Sequence, residues 1–148
     1  MSAVYACVGA ISETVSSLPL ILFKRNGDDR ERAADLPHGP DGIIAVQLFG
    51  QDPEIMRSAA ATAAERGADV IDLNMGCPVP KIAKHHAGCS LMREPGHAAT
   101  VIEAMTRAVK IPVTVKMRAG WNDRERNAPQ LAKLVERAGA AAVAVHGR

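Results

Sequence analysis

Chemically useful side chains recur at matching places along this chain: Gln47, then Asn74 with Cys77, then Lys116 with Arg118, then His146. Each lies in, at or just past the end of a short apolar run: Ile43 to Leu48, Val70 to Asn74, Pro112 to Met117 and Ala141 to Val145. Where parallel strands alternate with helices, chemistry gathers at the carboxyl ends of the strands. An amide, a thiol, an ammonium and an imidazole at four consecutive strand ends form a set that can hydrogen-bond, release a proton and hold charge.

Each residue also has a plainer reading. Gln47 could be an edge-facing polar residue. Cys77 could be a small buried hydrophobe, the commoner fate of a free thiol, but Gly76 and Pro78 put it at a loop start. Lys116 sits inside Val113-Thr114-Val115-Lys116-Met117, where a solvated lysine is unexpected and a buried one needs an anionic partner. His146 could cap its strand or be a satisfied core histidine; its register with the other three is what marks it. Cys89 reads as a packing residue. His85-His86 reads as a pair of polar residues on the surface of a loop, because no carboxylate or thiol spacing completes a metal set.

The elements that position these groups follow from local signals. Asp52 is placed to cap a helix that starts at Pro53 and runs along an Ala-rich face to Arg66, ending at Gly67. A long loop from Met75 to Pro95 leads to a helix over about 97 to 109, with Val101, Ile102, Met105 and Val109 on one face. A third helix spans about 128 to 138 and closes at Gly139. The predicted fold class is α/β: about four parallel strands with intervening helices, buried on both faces. Upstream, Val4, Val8, Ile11 and Val15 recur at helical spacing, Pro19 stops that helix, Leu20 to Phe23 reads as a short strand and Asn26-Gly27 as a turn. The two segments meet at a Pro/Gly-rich junction over 38–42.

Composition bounds the reading. The chain has 148 residues, 47% hydrophobic, 23% charged and 3% aromatic, with a net charge of +2. That charge is too small to announce nucleic-acid binding, and one Trp, one Tyr and two Phe make a poor stacking platform. No apolar run approaches the ~18 residues of a membrane span. No basic stretch precedes the first apolar residues, so a secretory signal is not expected and the cytoplasm is. Three cysteines without CxxC spacing argue against a disulfide framework or a structural zinc site, so no metal is expected. An eight-fold strand-helix barrel takes about 250 residues, so any barrel here is partial.

Asp72-Leu73-Asn74-Met75-Gly76-Cys77-Pro78 carries a specific signature. With Val46-Gln47-Leu48-Phe49-Gly50, Lys81, the Ala87 to Met92 loop, Val115-Lys116-Met117-Arg118-Ala119-Gly120-Trp121 and Val145-His146-Gly147-Arg148, residues 43–148 resemble the tRNA-dihydrouridine synthases. The resemblance implies a partial TIM (β/α)8 barrel, the middle four strands of eight. It also implies FMN as cofactor, NADPH as reductant and reduction of the C5–C6 bond of uridine in tRNA. By that likeness Cys77 is the general acid protonating C5, a role that fits thiols, which stay mostly protonated below about pH 8.5. Gln47, Lys116 and His146 would contact the flavin; Asn74 and Arg118 would contact the substrate. A target uridine would have to leave its stack. Weak FMN binding is expected, since the family's phosphate-gripping strands lie outside this segment, and open sheet edges would favour self-association.

Residues 2–36 resemble instead the start of a tailed-phage portal protein, through Ser2 to Val8, Ile11 to Leu20 and the Lys24-Arg25-Asn26-Gly27 turn. The expected organisation is therefore a portal-like helix and strand over 1–37, a junction over 38–42 and the partial barrel over 43–148, with no family motif before residue 43. Two alternatives stand beside the tRNA enzyme: another FMN barrel such as a dihydroorotate dehydrogenase, which also carries an Asn-x-x-Cys-Pro pattern, and a non-catalytic portal fragment.

Overall fold

A computed structural model of the chain describes residues 5–10, 44–77 and 88–147. The order is β1 (Tyr5–Ala10), β2 (Ile44–Phe49), α1 (Pro53–Glu65), β3 (Val70–Met75), a 3-10 helix (Gly88–Arg93), α2 (Pro95–Ala108), β4 (Val113–Arg118), α3 (Ala128–Arg137) and β5 (Ala142–His146). The strands form one sheet in the order β1-β2-β3-β4-β5, with β2 to β5 parallel and β1 antiparallel at the edge. Four parallel strands alternating with helices make the α/β arrangement expected of a partial barrel.

The helices begin and end for local reasons. Asp52 Oδ1 accepts from the backbone N–H groups of Glu54 and Ile55, both at 3.0 Å, satisfying donors that have no partner inside α1. Proline opens each of α1, α2 and α3 within its first two positions, where a missing N–H costs nothing. Just past α3, Gly139 takes φ +98°, which L side chains rarely adopt. A Cβ there would also press on Thr106, whose hydroxyl bonds the Ala138 carbonyl at 2.9 Å and ties α2 to the end of α3.

The core lies between the helices and one face of the sheet. Ile44, Val46 and Leu48 of β2, Ile71, Leu73 and Met75 of β3, and Val113, Val115 and Met117 of β4 are all buried on it. They pack in one cluster with Met56 and Ala60 of α1, Val101, Ile102 and Met105 of α2, and Leu131 and Val135 of α3. Val143 of β5 lies against the cluster's margin.

Three expectations change. The sheet is buried on one face rather than two: residues alternate buried and half-buried along β3, and buried and half-buried or exposed along β4. The other side of those strands carries Asp72, Asn74, Thr114, Lys116 and Arg118, and among the described residues no helix covers it. Residues 5–10 form a strand where a helix was predicted. Val4 and Val8 are four apart, and an even spacing returns to the same side of a strand as readily as to one face of a helix. The predicted strand at 20–23, the turn at 26–27 and the junction at 38–42 lie outside the described residues. The stretch predicted as loop from Met75 to Pro95 holds the 3-10 helix, and α2 starts at Pro95 rather than 97, for the same first-turn reason as Pro53. The other strand and helix boundaries move by at most one residue.

Candidate active site

The uncovered face is built in cross-strand rows. Gln47 pairs with Asp72, Asp72 with Thr114 and Thr114 with Ala142, so these four stand level across β2 to β5. One step toward the carboxyl ends, Asn74 pairs with Lys116 and Lys116 with Ala144. A further step brings Arg118 opposite His146. Because side chains alternate along a strand, the three rows share one side of the sheet.

A chain of hydrogen bonds crosses the first two rows. Thr114 Oγ1 donates to Asp72 Oδ1 at 2.7 Å, and Gln47 Nε2 donates to Asp72 Oδ2 at 2.6 Å. Asn74 Nδ2 donates to Gln47 Oε1 at 2.9 Å. Asn74 Oδ1 in turn accepts from the backbone N–H of Gly76 at 3.0 Å and of Cys77 at 2.9 Å. This is the local side-chain to backbone bonding by which Asn shapes a turn. The Cys77 carbonyl accepts from the Cys89 N–H at 3.1 Å, joining the loop start to the 3-10 helix. Cys77 is thus held at both backbone groups while its side chain stays half-buried.

Arg118 lies across the same loop start. A Cβ at Gly76 would stand 3.4 Å from Arg118 Cγ, so the arginine stem runs close over that glycine. Burial pushes the Cys89 thiol up from the ordinary thiol value, while the neighbouring Arg118 guanidinium works the other way. Cys89 is 2% exposed, consistent with a packing residue. Lys116 is exposed rather than buried, and has no hydrogen-bond or ion-pair partner among the described residues. Its place on the uncovered face removes the need for an anionic partner.

Beyond β4 the chain forms a structured loop. Asn122 Oδ1 accepts from the N–H groups of Arg124 and Glu125, Trp121 N–H donates to the Glu125 carbonyl, and Arg93 lies over the Trp121 ring at 5.3 Å. Gly120 allows this close turn, since a Cβ there would overlap the Glu125 carbonyl and stand 2.5 Å from Arg126 Cα. Arg118, Trp121, Arg126 and Gly147 help line a cleft of about 260 Å³ beside the third row.

The structure therefore brings Gln47, Asn74, Lys116, Arg118 and His146 onto one face, with Cys77 fixed at its rim. His146 is exposed, opposite Arg118. Lys81, His85, His86 and Arg148 lie outside the described residues. Two members of the site were not singled out from sequence: Asp72 and Thr114, which anchor the hydrogen-bond chain. Their signal was the strict alternation in Val70 to Met75 and Val113 to Arg118, which puts 72, 74, 114, 116 and 118 on one polar side. Among the described residues, no group of three or more His, Cys, Asp or Glu could hold a metal, and no helix is long and apolar enough to cross a membrane.

Comparison with known proteins adds the following. The dihydrouridine synthase (Dus) family model matches residues 8–148. The chain is 42% identical over 144 residues to tRNA-dihydrouridine synthase B of Shewanella oneidensis, covering 97% of this chain and 44% of that protein. A probable tRNA-dihydrouridine synthase of Rickettsia bellii is 52% identical over 138 residues, covering 93% and 41%. The enzyme named tRNA-dihydrouridine synthase B in Proteus vulgaris is 42% identical over 138 residues, covering 93% and 42%. The chain thus spans less than half the length of these relatives. The match begins at residue 8, not 43, which corrects the expectation that no family likeness precedes the junction. The residues with reactive or hydrogen-bonding side chains that carry the family motifs begin only at Gln47.

Proposed function

The chain belongs to the dihydrouridine synthase family, and from that premise we propose that its polar sheet face serves the reduction of the uridine C5–C6 bond in tRNA, with Cys77 as general acid. The observation that carries this reading is the double tether of Cys77, through Asn74 Oδ1 to its N–H and through its carbonyl to Cys89. A proton donor must be held within hydrogen-bond reach of the atom it protonates, and this tether fixes the backbone that carries the thiol.

The face suits a flavin. Lys116 and His146 are exposed on it, Ala142 and Ala144 keep β5 low beside them, and Gln47 retains one N–H and one lone pair beyond its bonds to described residues. These three residues would hold FMN, which when bound supplies the hydride for C6, with NADPH as the source of electrons. Lys116 places a positive charge where reduction would add negative charge. Asn74 has both lone pairs of Oδ1 occupied and one hydrogen left on Nδ2, so it meets the uracil edge as a donor, toward a carbonyl oxygen. Arg118, beside the cleft, would pair with an anionic or carbonyl group of the substrate. Cys77 gives its proton to C5 and regains one from solvent, for which its half-buried position leaves a path. Such an enzyme acts on tRNA in the cytoplasm, and the exposed edge of β5 makes self-association part of the same proposal.

Two features favour this reading over its rivals. The family match across residues 8–148 favours one family along the chain over a portal segment joined to a synthase segment. Relatives at 42% and 52% identity named for tRNA favour that substrate over orotate. The test is to load the chain with FMN and follow NADPH-dependent loss of uridine C5–C6 unsaturation in unmodified tRNA. Turnover that falls by about 10²- to 10⁴-fold in Cys77→Ala is expected for a lost general acid. Turnover of orotate with none on tRNA, or an unchanged rate in Cys77→Ala, would overturn the proposal.

A further inference from the structure

The structure assigns to Asp72 the role of positioning residue: its carboxylate sets the orientation of the Gln47 and Asn74 side-chain amides and, through them, the backbone that presents Cys77. The assignment concerns the site proposed above and rests on that reading for its catalytic meaning, while its physical content stands on hydrogen-bond polarity.

An ionised carboxylate only accepts hydrogen bonds. Asp72 receives one on each oxygen, from Thr114 Oγ1 at 2.7 Å and from Gln47 Nε2 at 2.6 Å. The amide end of Gln47 that faces Asp72 must therefore be the NH2, which turns Oε1 toward Asn74. Asn74 must answer with its own NH2, at 2.9 Å. That leaves Asn74 Oδ1 facing the loop, where the Gly76 and Cys77 N–H groups require an acceptor. Each amide could be placed either way round in isolation, and reversing any one of them sets two donors or two acceptors against each other. Of the three side chains Asp72, Gln47 and Asn74, only Asp72 has no alternative orientation of this kind, and the Gly76 and Cys77 N–H groups at the far end demand the same polarity.

Packing does not explain this residue. Asp72 is half-buried on the face opposite the apolar cluster, between Ile71 and Leu73, which are both fully buried on the other side. Its hydrogen-bond partners are neutral, and among the described residues it is in no ion pair. The register supplies the rest: Gln47 and Thr114 are its direct cross-strand neighbours on β2 and β4, so one carboxylate spans three strands.

Two substitutions separate orientation from charge and from general stability. Asp72→Leu keeps the branched four-atom side chain, at a somewhat larger volume, and removes both acceptors. Asp72→Asn removes the charge but keeps an acceptor for Gln47, and its NH2 can donate to the Thr114 hydroxyl, which accepts as well as donates. The readout is residue-resolved amide hydrogen exchange on the whole chain without cofactor or tRNA. In Asp72→Leu the Gly76 and Cys77 amides should exchange on the order of tenfold faster, the loss of about one hydrogen bond, while Ile71, Leu73 and Val115 keep their protection. Asp72→Asn should restore slow exchange at both positions. Unchanged Gly76 and Cys77 exchange in Asp72→Leu would overturn the assignment, as would Asp72→Asn behaving like Asp72→Leu or acceleration spread evenly over the sheet. Should Asp72→Leu not fold, Gln47→Met breaks the same chain one link later and must give the same local pattern. Because the measurement uses neither flavin nor tRNA, absence of turnover would count against the proposed function and leave this result standing.

Discussion

The two faces of the sheet use the same strands for opposite purposes. On one, nine apolar side chains of β2, β3 and β4 disappear under three helices. On the other, the alternate residues of those strands form three polar rows whose hydrogen bonds run between side chains rather than into a core. Folding free energy accumulates on the first face because apolar area leaves water there, at roughly 25 cal/mol per Å². The second face contributes little to that sum. Its bonds are partly open to water and are individually worth about 1 kcal/mol, but they have direction, which apolar contacts lack. Stability and orientation are thus separated by the pleat of the strand, and a substitution should report mainly on one or the other.

The sharpest way to break this division is Cys77→Ala. If the polar face does the chemistry, turnover falls by about 10²- to 10⁴-fold, whereas the denaturant midpoint stays close to that of the parent chain, because the side chain is half-buried and outside the apolar cluster. A large loss of stability in this variant would show that the rim of the polar face carries the fold as well.

The converse is Leu131→Ala in α3. Leu131 is 0% exposed and part of the apolar cluster, so its truncation should cost about 2–5 kcal/mol in equilibrium unfolding. The Gly76 and Cys77 amides should keep their protection relative to the rest of the sheet as long as the chain is folded. Selective acceleration of those two amides would mean that the faces are coupled through the strands.

Between the two lies a cap. Asp52→Ala removes the acceptor for the Glu54 and Ile55 N–H groups and should cost about 0.5–2 kcal/mol, with no effect on exchange at Gly76 or Cys77. The neighbouring Glu54–Arg57 ion pair, 2.9 Å but exposed on both sides, should add almost nothing measurable when broken.

These features were not equally legible in the sequence. Asp52 followed by Pro53, and Gly139 after an amphipathic run, are local signals, and local signals fix helix ends without knowledge of the rest. The strand ends carrying Gln47, Asn74, Lys116 and His146 were legible for a related reason: each is a polar residue in or against an apolar run. Asp72 escaped notice because its importance lies in what stands beside it. Gln47 is 25 positions away and Thr114 is 42, and nothing short of the strand register says that the three are level. Residues 5–10 escaped for the opposite reason: four-residue spacing suits a helix and a strand alike, and pairing with β2 decides between them.

The last test concerns Cys89, which sits where the faces meet, buried like the core yet bonded through its N–H to the Cys77 carbonyl. Burial raises the pKa of its thiol above the ordinary value, with Arg118 opposing. A folded-state pKa above the unfolded one means that the native chain binds the proton more tightly, so stability is fully present below the ordinary thiol pKa of about 8.5 and declines as pH rises toward and through the folded value. Near neutrality the contribution does not vary with pH, which makes this the smallest effect of the series under ordinary conditions. Unfolding midpoints measured from pH 7 to pH 10 should therefore be level at first and then fall, and Cys89→Ala should lose part of that fall. If Cys89→Ala follows the parent curve at every pH, the thiol ionises alike in the folded and unfolded chain and burial does not raise its pKa. The alkaline loss would then have another origin than the burial of Cys89.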